Sequence, residues 1–326
     1  MTATESKVLN ESPTMSVQTL STTSRKATSS NQLYLPKTTE KDNQADNLPR
    51  MLQYMRFKDW SNVLRLLEHD PSLSRRNVKM VYEGENSICL LLHLFCSRRS
   101  VPFIIIDLLV TLNPAALLES DTQGARLPLH IATSSGMSEE IVMYLCTALP
   151  QALQYADRDG NYPLHYAAMY GSPAIIRHFV RTFPQAAGSQ NEKKRLPLHF
   201  LCSRFFDDDE IISPLDIEQL VKAYPKALEM KDRCGRLPLH LATEQTTMHW
   251  DHLNVLIKNY PSALVDKDEF EKTPLMHAKK RAVKNKEDHE SLISKLTECT
   301  LKEIRKEKPY LPSFMVNSTI AYSNKR

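Results

Sequence analysis

Glycine is scarce in this chain, with 7 residues among 326, and so few glycines exclude glycine-rich phosphate loops as a recurring theme. No apolar run approaches the ~20 residues of a membrane-spanning helix. The six cysteines are scattered without a Cys-x-x-Cys pair, which favours free thiols in a reducing compartment over a disulfide framework. The N-terminus also lacks the apolar segment of a secretory signal. These absences predict an intracellular protein, in the cytoplasm or the nucleus.

The N-terminal segment is rich in Ser and Thr and poor in large apolar residues. Such a segment cannot bury enough surface to offset its chain entropy. We therefore predict a disordered segment at 1–47, a folded domain at 48–308 and a flexible tail at 309–326. The Ser/Thr cluster at 21–30 is either a phosphorylation target or a solvated tail without a role.

A Pro-Leu-His motif recurs along the folded part, at intervals of about 34 to 41 residues. Its histidines are His130, His165, His199 and His240, and a degenerate copy holds His93. A second motif, Pro-x-Ala-Leu or a close variant, begins at Pro114, Pro150, Pro184, Pro225 and Pro261. Because two independent motifs share one period, the chain is predicted to consist of structural repeats.

Each repeat resolves into two helices. The first begins at the proline of Pro-Leu-His, since proline suits the first helical position. The second has apolar residues at helical spacing and begins after a capping serine such as Ser172 or Ser213. The pattern predicts an all-α solenoid of about six to seven helix-turn-helix units with short turn or hairpin connections, closed by a C-terminal capping helix.

The stretch DRDGNYPLHYAAMYGSPAIIRHFV at 157–180 resembles the ankyrin-repeat family in its Asp, Gly, Pro-Leu-His, Ala-Ala and Gly positions. The Pro-x-Ala-Leu ending is similar to ankyrin-like proteins abundant in diatoms and related algae. The family usually places threonine before Pro-Leu-His, where its hydroxyl bonds to the imidazole. This chain has Leu127, Tyr162, Leu196 and Leu237 there, so we expect its histidines to find backbone partners instead.

We interpret the repeated histidines as structural residues that tie one repeat to the backbone nearby. These are His93, His130, His165, His199 and His240. Two His-x-x-Cys pairs, at 93–96 and 199–202, could each offer two zinc ligands, but a site needs three or four, and the pairs are three repeats apart. The acidic stretch Asp207–Glu210 is either a cation-binding or a solvated loop. We expect no metal site, no cofactor and no catalytic residue.

The ankyrin resemblance implies a protein-protein interaction scaffold, without enzymatic activity, that binds its partner through turn tips and the concave face of the first helices. The contact residues carried over are Arg98, Tyr170, Arg195, Arg204, Arg233 and Arg236. Since the middle turns are basic, we expect a protein partner with an acidic patch, and we favour a monomer for the scaffold itself.

Two other function classes stay open. The basic turns could serve a nucleic-acid-associated regulatory protein, although aromatic interleaving and a recognition module are missing. An ankyrin-bearing enzyme would require a catalytic signature, and the sequence carries no P-loop, GxSxG or HExxH motif. A basic stretch that starts at Lys279 is either a nuclear import signal or the exposed face of a helix.

Overall fold

The computed structural model describes residues 46–82, 85–204, 212–245, 249–282, 289–307 and 309–310. Three sequence predictions lie outside the described residues: the disordered segment up to residue 45, the acidic stretch Asp207–Glu210 and the tail from residue 311. The basic stretch that starts at Lys279 is described only as far as residue 282.

The described residues form seven consecutive helix pairs, in agreement with the predicted number. The first helices are α1 Asn47–Arg56, α3 Leu91–Cys96, α5 Pro128–Ser134, α7 Pro163–Tyr170, α9 Pro197–Ser203, α11 Pro238–Glu244 and α13 Pro274–Ala282. The second helices are α2 Trp60–His69, α4 Phe103–Leu112, α6 Glu139–Ala148, α8 Pro173–Thr182, α10 Pro214–Ala223, α12 Trp250–Asn259 and α14 His289–Glu307. Five of the first helices begin at a proline, as the motif predicts.

The pairs stack in chain order. From α3 onwards each first helix packs on the first helix of the next repeat, and from α2 to α12 each second helix packs on the next second helix. The leucines of the Pro-Leu-His motifs, Leu129, Leu164, Leu198 and Leu239, are fully buried between these layers. A repeat therefore buries its apolar faces only against its neighbours, which is the defining property of a solenoid. The predicted all-α repeat solenoid is confirmed.

One antiparallel hairpin departs from the all-α pattern. Strands β1 Asn77–Tyr82 and β2 Glu85–Leu90 pair with Asn77 opposite Leu90. Val78 and Cys89 face each other in the core, whereas Ile88 lies exposed. This alternation of buried and exposed positions is the period of a strand. It precedes the degenerate repeat around His93, where no proline sets a helix start.

The Pro-x-Ala-Leu motifs form separate short 3-10 helices, rather than the end of the second helix. They are Pro71–Arg75, Pro114–Leu117, Pro150–Gln154, Pro184–Gly188, Pro225–Leu228 and Pro261–Leu264. In each case the proline lies at the start of the short helix, where its missing N–H costs nothing. The alanine and the residue after it are buried in the copies from Pro114 onwards, so the motif anchors the chain before the next turn.

The repeated histidines hold each first helix to the next repeat. In His165, Nδ1 accepts a hydrogen bond from the Tyr162 N–H at 3.0 Å, and Nε2 lies 3.2 Å from the Arg195 carbonyl oxygen. Because Nδ1 accepts, the proton resides on Nε2, which donates to that carbonyl. The same double contact is made by His130, His199 and His240. Burial lowers the pKa of these four imidazoles to about 4.

These contacts explain why threonine is dispensable before Pro-Leu-His. The N–H of the residue in its place is one of the unpaired donors at a helix start, and the imidazole three positions later satisfies it. His93 makes the contact to the next repeat, with Nε2 2.9 Å from the Glu119 carbonyl oxygen. Its Nδ1 has no hydrogen-bond partner among the residues that the structure describes, and the residue three positions before it, Leu90, belongs to β2.

Candidate interaction surface

A turn precedes each Pro-Leu-His helix, and an Asp or Asn side chain organises it. In the turn Asp232–Arg236, the Oδ1 atom of Asp232 accepts hydrogen bonds from the N–H groups of Cys234 and Arg236. The Asp232 N–H donates to the Arg236 carbonyl oxygen at 2.9 Å and closes the turn. The same arrangement occurs at 121–126, 157–161, 191–195 and 268–272, which we call the tip turns together with 232–236.

Neighbouring tip turns are joined by single backbone hydrogen bonds. The Arg158 N–H donates to the Gly124 carbonyl oxygen at 2.7 Å, and the Glu192 N–H donates to the Asp159 carbonyl oxygen at 2.8 Å. The next two steps are Arg233 N–H to Lys193 and Glu269 N–H to Cys234, each at 3.0 Å. The backbone of the tips is thus a continuous hydrogen-bonded ladder, which holds the exposed side chains on a rigid support.

Each tip turn needs one residue with a left-handed backbone. This position is Gly160 and Gly235 in two turns, with φ of 76° and 72°, but Lys194 and Glu271 occupy it in two others, with φ of 55° and 59°. Glycine adopts this conformation without penalty, whereas other residues pay roughly 1–2 kcal/mol. A Cβ atom at Gly235 would also lie 2.8 Å from the Glu269 nitrogen, in the backbone of the next turn.

We predict that Gly235→Ala lowers the free energy of unfolding by about 1–3 kcal/mol, through backbone strain and the contact with the next turn. The converse change, Lys194→Gly, should leave stability unchanged or raise it by less than about 1 kcal/mol. Urea denaturation followed by circular dichroism measures both. Equal effects of the two substitutions would contradict this account of the turns.

Buried charges stabilise two of the tip turns. Arg126 and Asp121 form a salt bridge of 2.7 Å with side chains that are 3% and 0% exposed. In the turn Asp232–Arg236, the buried carboxylate of Asp232 pairs with Arg236 at 3.0 Å and with Arg195 of the preceding repeat at 3.2 Å. Although burial opposes ionisation, hydrogen bonds and the charge of Arg236 hold the pKa of Asp232 below its usual value.

The sequence-predicted contact residues fall into different environments. Arg233 is exposed and pairs only loosely with Glu192, at 3.6 Å. Arg195 and Arg236 are half-buried and bind Asp232, so their charges are largely engaged within the domain. Tyr170 is 48% exposed at the end of α7. Of this set, Arg233 and Tyr170 are the side chains that the fold leaves at the surface.

The structure corrects the expectation that Arg204 lies on the contact surface. Its side chain is 4% exposed and does not lie on an open surface. Its guanidinium donates from Nη1 to the Gly171 carbonyl oxygen of the preceding repeat at 2.6 Å, so it holds two repeats together. Arg98 is half-buried, and its Nε atom has no hydrogen-bond partner in the described part of the chain. Burial lowers the pKa of the Arg98 guanidinium.

The exposed charges divide the tip turns into a basic and an acidic part. We define the basic strip as Lys193, Lys194 and Arg233, all exposed. The next turn, Asp268–Lys272, is the acidic turn, with exposed carboxylates at Glu269 and Glu271. Glu271 is paired with Lys267, whereas Glu269, Lys193 and Lys194 have no ion-pair partner within the described residues. The surface is therefore polarised along the repeats.

The two His-x-x-Cys pairs are buried in separate repeats, with all four side chains at 0% exposure. Burial raises the pKa of the Cys96 and Cys202 thiols above the usual range, which suppresses the reactive thiolate. Within the described ranges, no group of three or more His, Cys, Asp or Glu residues is arranged to hold a metal ion. Among the same residues, no helix has the length and apolarity needed to cross a membrane.

The site residues predicted from the sequence do not include the side chains that organise the tip turns. These side chains belong to Asp121, Asp157, Asn191, Asp232 and Asp268, which share the repeat period with the histidines. The signal was present, since Asp and Asn favour turns in which the side chain bonds to the backbone two residues on. Asn191 shows that a neutral amide oxygen can accept the same backbone hydrogen bonds as a carboxylate.

Comparison with known proteins supports the repeat assignment. Residues 92–191, less than a third of the chain, match the family model for ankyrin repeats, in three copies. No curated protein matches the chain. Beyond residue 191, the pairs α9–α10 and α11–α12 repeat the Pro-Leu-His start and the short 3-10 helix at corresponding positions.

Proposed function

Because this chain is an ankyrin-repeat protein, we propose that it is a non-catalytic interaction scaffold that binds a protein through its tip turns and the exposed ends of the first helices. Ankyrin repeats are generally protein-protein interaction modules. The observation that carries the proposal is the backbone ladder of the tips. It presents exposed charged side chains on a support that needs little ordering when a partner binds, which reduces the entropic cost of association.

The polarity of this surface supports a protein partner with an acidic patch. The basic strip lies on two neighbouring turns, and the half-buried Arg195 and Arg236 belong to the same two turns. Complementary charge steers encounter and fixes orientation more than it raises affinity. The exposed Tyr170 adds an aromatic side chain of the type that often dominates interface energy.

Quantitative affinity capture from the protein's own cells tests the proposal. The strip variant carries Lys193→Glu, Lys194→Glu and Arg233→Glu. The control variant reverses three exposed cations on or next to the second helices, with Arg181→Glu, Lys226→Glu and Lys258→Glu. Both variants change the net charge equally. A substitution at an exposed position usually changes the free energy of unfolding by less than about 0.5 kcal/mol. Circular dichroism should therefore show that both variants fold.

We expect the strip variant to lose most of the partner that the native protein captures, while the control variant retains it. Equal capture by the two variants would place the interface elsewhere. If the native protein enriches no protein at all above a bare support, the scaffold function itself is wrong.

A further inference from the structure

The basic strip and the acidic turn have a fixed order along the repeats. Lys193 and Lys194 lie on the turn 191–195, Arg233 on the turn 232–236 and Glu269 on the turn 268–272. The exposed pair between Arg233 and Glu192 is loose and open to solvent, and such pairs are readily exchanged for other partners. A ligand that follows the tips therefore meets positive, positive and negative charge in succession.

The spacing of these charges follows from the hydrogen bonds of the ladder. Each repeat contributes one hydrogen-bonded step across its own turn and one step to the next turn. Hydrogen-bonded chain segments lie about 4.8 Å apart, so one repeat advances the surface by about 10 Å. A chain in the polyproline II conformation rises about 3.1 Å per residue with three residues per turn, so every third side chain lies on the same face, about 9 Å from the previous one.

We propose that the tip turns bind a protein segment in the polyproline II conformation that carries an acidic residue, a second acidic residue and a basic residue at every third position. The two acidic residues face the basic strip, and the basic residue faces Glu269. This inference rests on the proposed scaffold function and adds the chemistry and the register of the bound segment. The side chains between the charged positions contact the surface weakly and are free to vary.

A single-stranded nucleic acid fits the same surface less well. Such ligands bind through bases stacked on aromatic side chains in a positive groove. The tip turns 157–161, 191–195 and 232–236 contain no aromatic residue, and the exposed Phe270 lies in the acidic turn. The acidic turn that follows would repel the phosphate backbone, whereas it attracts the basic residue of the proposed segment.

Fluorescence anisotropy with labelled short peptides tests the register. The matched peptide carries Glu, Glu and Lys at every third position with serine and alanine between them. The shuffled peptide has the same composition with its charges placed side by side. We expect the matched peptide to bind about tenfold more tightly than the shuffled one, and to weaken as salt screens the charges. Both chain directions of the matched pattern are measured.

Charge exchange on the protein provides the control for folding. The strip variant should lose the matched peptide and should bind a peptide with Lys at every third position, a gain that misfolding cannot produce. The control variant with Arg181, Lys226 and Lys258 reversed should bind the matched peptide like the native protein.

Equal binding of matched and shuffled peptides would overturn the proposed register, as would tighter binding of a short single-stranded DNA at the strip. If the peptides fail while the strip variant still loses its captured partner, the segment is wrong and the scaffold function stands. If neither measurement responds to the strip variant, both proposals fail.

Discussion

Lowering the pH from ~6.5 towards ~4 is expected to remove most of the stability of the repeat domain. The pKa of four buried histidines is lowered to about 4, whereas an unfolded histidine titrates near ~6.5. Between these values the unfolded chain binds more protons, so stability is full above this window and is lost as pH falls through it. Each histidine accounts for on the order of 3 kcal/mol, a large share of a domain's stability.

His277 acts in the opposite direction but does not offset this loss. Although burial opposes its charge, hydrogen bonds to Glu244 and Asp268, at 2.7 and 2.8 Å, raise its pKa. Its contribution is therefore fully present below ~6.5 and is lost as pH rises through the folded pKa. The lowered pKa of Asp121 and Asp232 adds a further loss only at more acidic pH. The loss of stability that the four histidines cause therefore occurs at higher pH than the loss that these two aspartates cause.

Urea denaturation at a series of pH values between neutral and ~4 measures the effect. The variant His165→Ala should lower stability at neutral pH by roughly 1–3 kcal/mol, since it leaves backbone groups unpaired. It should also reduce the proton uptake on unfolding within the window by about one. Exposed His69→Ala is the control and should leave the stability at neutral pH within about 0.5 kcal/mol of the native value. A stability that stays flat across the window would refute the assigned role of these histidines.

Removing Arg126 is expected to destabilise the fold strongly. The variant Arg126→Met leaves the fully buried carboxylate of Asp121 without its charge partner at 2.7 Å. Breaking a buried pair in this way costs roughly 3–5 kcal/mol, because the remaining charge stays desolvated. The exposed pair between Arg76 and Asp46 is the matched control, and Arg76→Met should cost less than about 1 kcal/mol.

A double variant separates the buried charge from lost packing. Asp121→Asn combined with Arg126→Met removes both charges, and the amide oxygen can still accept the backbone N–H groups of the turn, as Asn191 does. We expect the double variant to recover a large part of the stability lost in Arg126→Met. Thermal and urea unfolding of the variants decide this. A double variant no more stable than Arg126→Met would show that the charge is not the cause.

The repeat architecture could be predicted from the sequence because its signals are local and periodic. Pro163 and its equivalents mark helix starts through the missing N–H, and Leu164 and its equivalents mark the buried face. The serines that cap the second helices could also be predicted. The Ser172 hydroxyl accepts a hydrogen bond from the Ile175 N–H, and Ser213 donates from its N–H and its hydroxyl to the Asp216 carboxylate.

The candidate surface was harder to predict because side-chain exposure depends on neighbouring repeats. Arg204 and Arg233 are the same residue type at equally plausible positions, yet one is buried against Gly171 and the other is open to solvent. The ion-pair partner of Arg195 is Asp232 in the next repeat, and a local pattern does not reveal a contact across 37 positions. The hairpin of β1 and β2 was not predicted either, because a short run of apolar residues is compatible with a helix as well as with a strand.

Site-specific photocrosslinking in living cells tests the central proposal, that the charged tip turns contact a protein partner. A photoreactive amino acid replaces Lys193 in one variant and exposed Lys226, beside the second helices, in the other. We predict that a protein adduct forms from position 193 and that adding the strip changes Lys194→Glu and Arg233→Glu abolishes it. Adducts that form only from position 226, or that survive the charge reversal undiminished, would contradict the account.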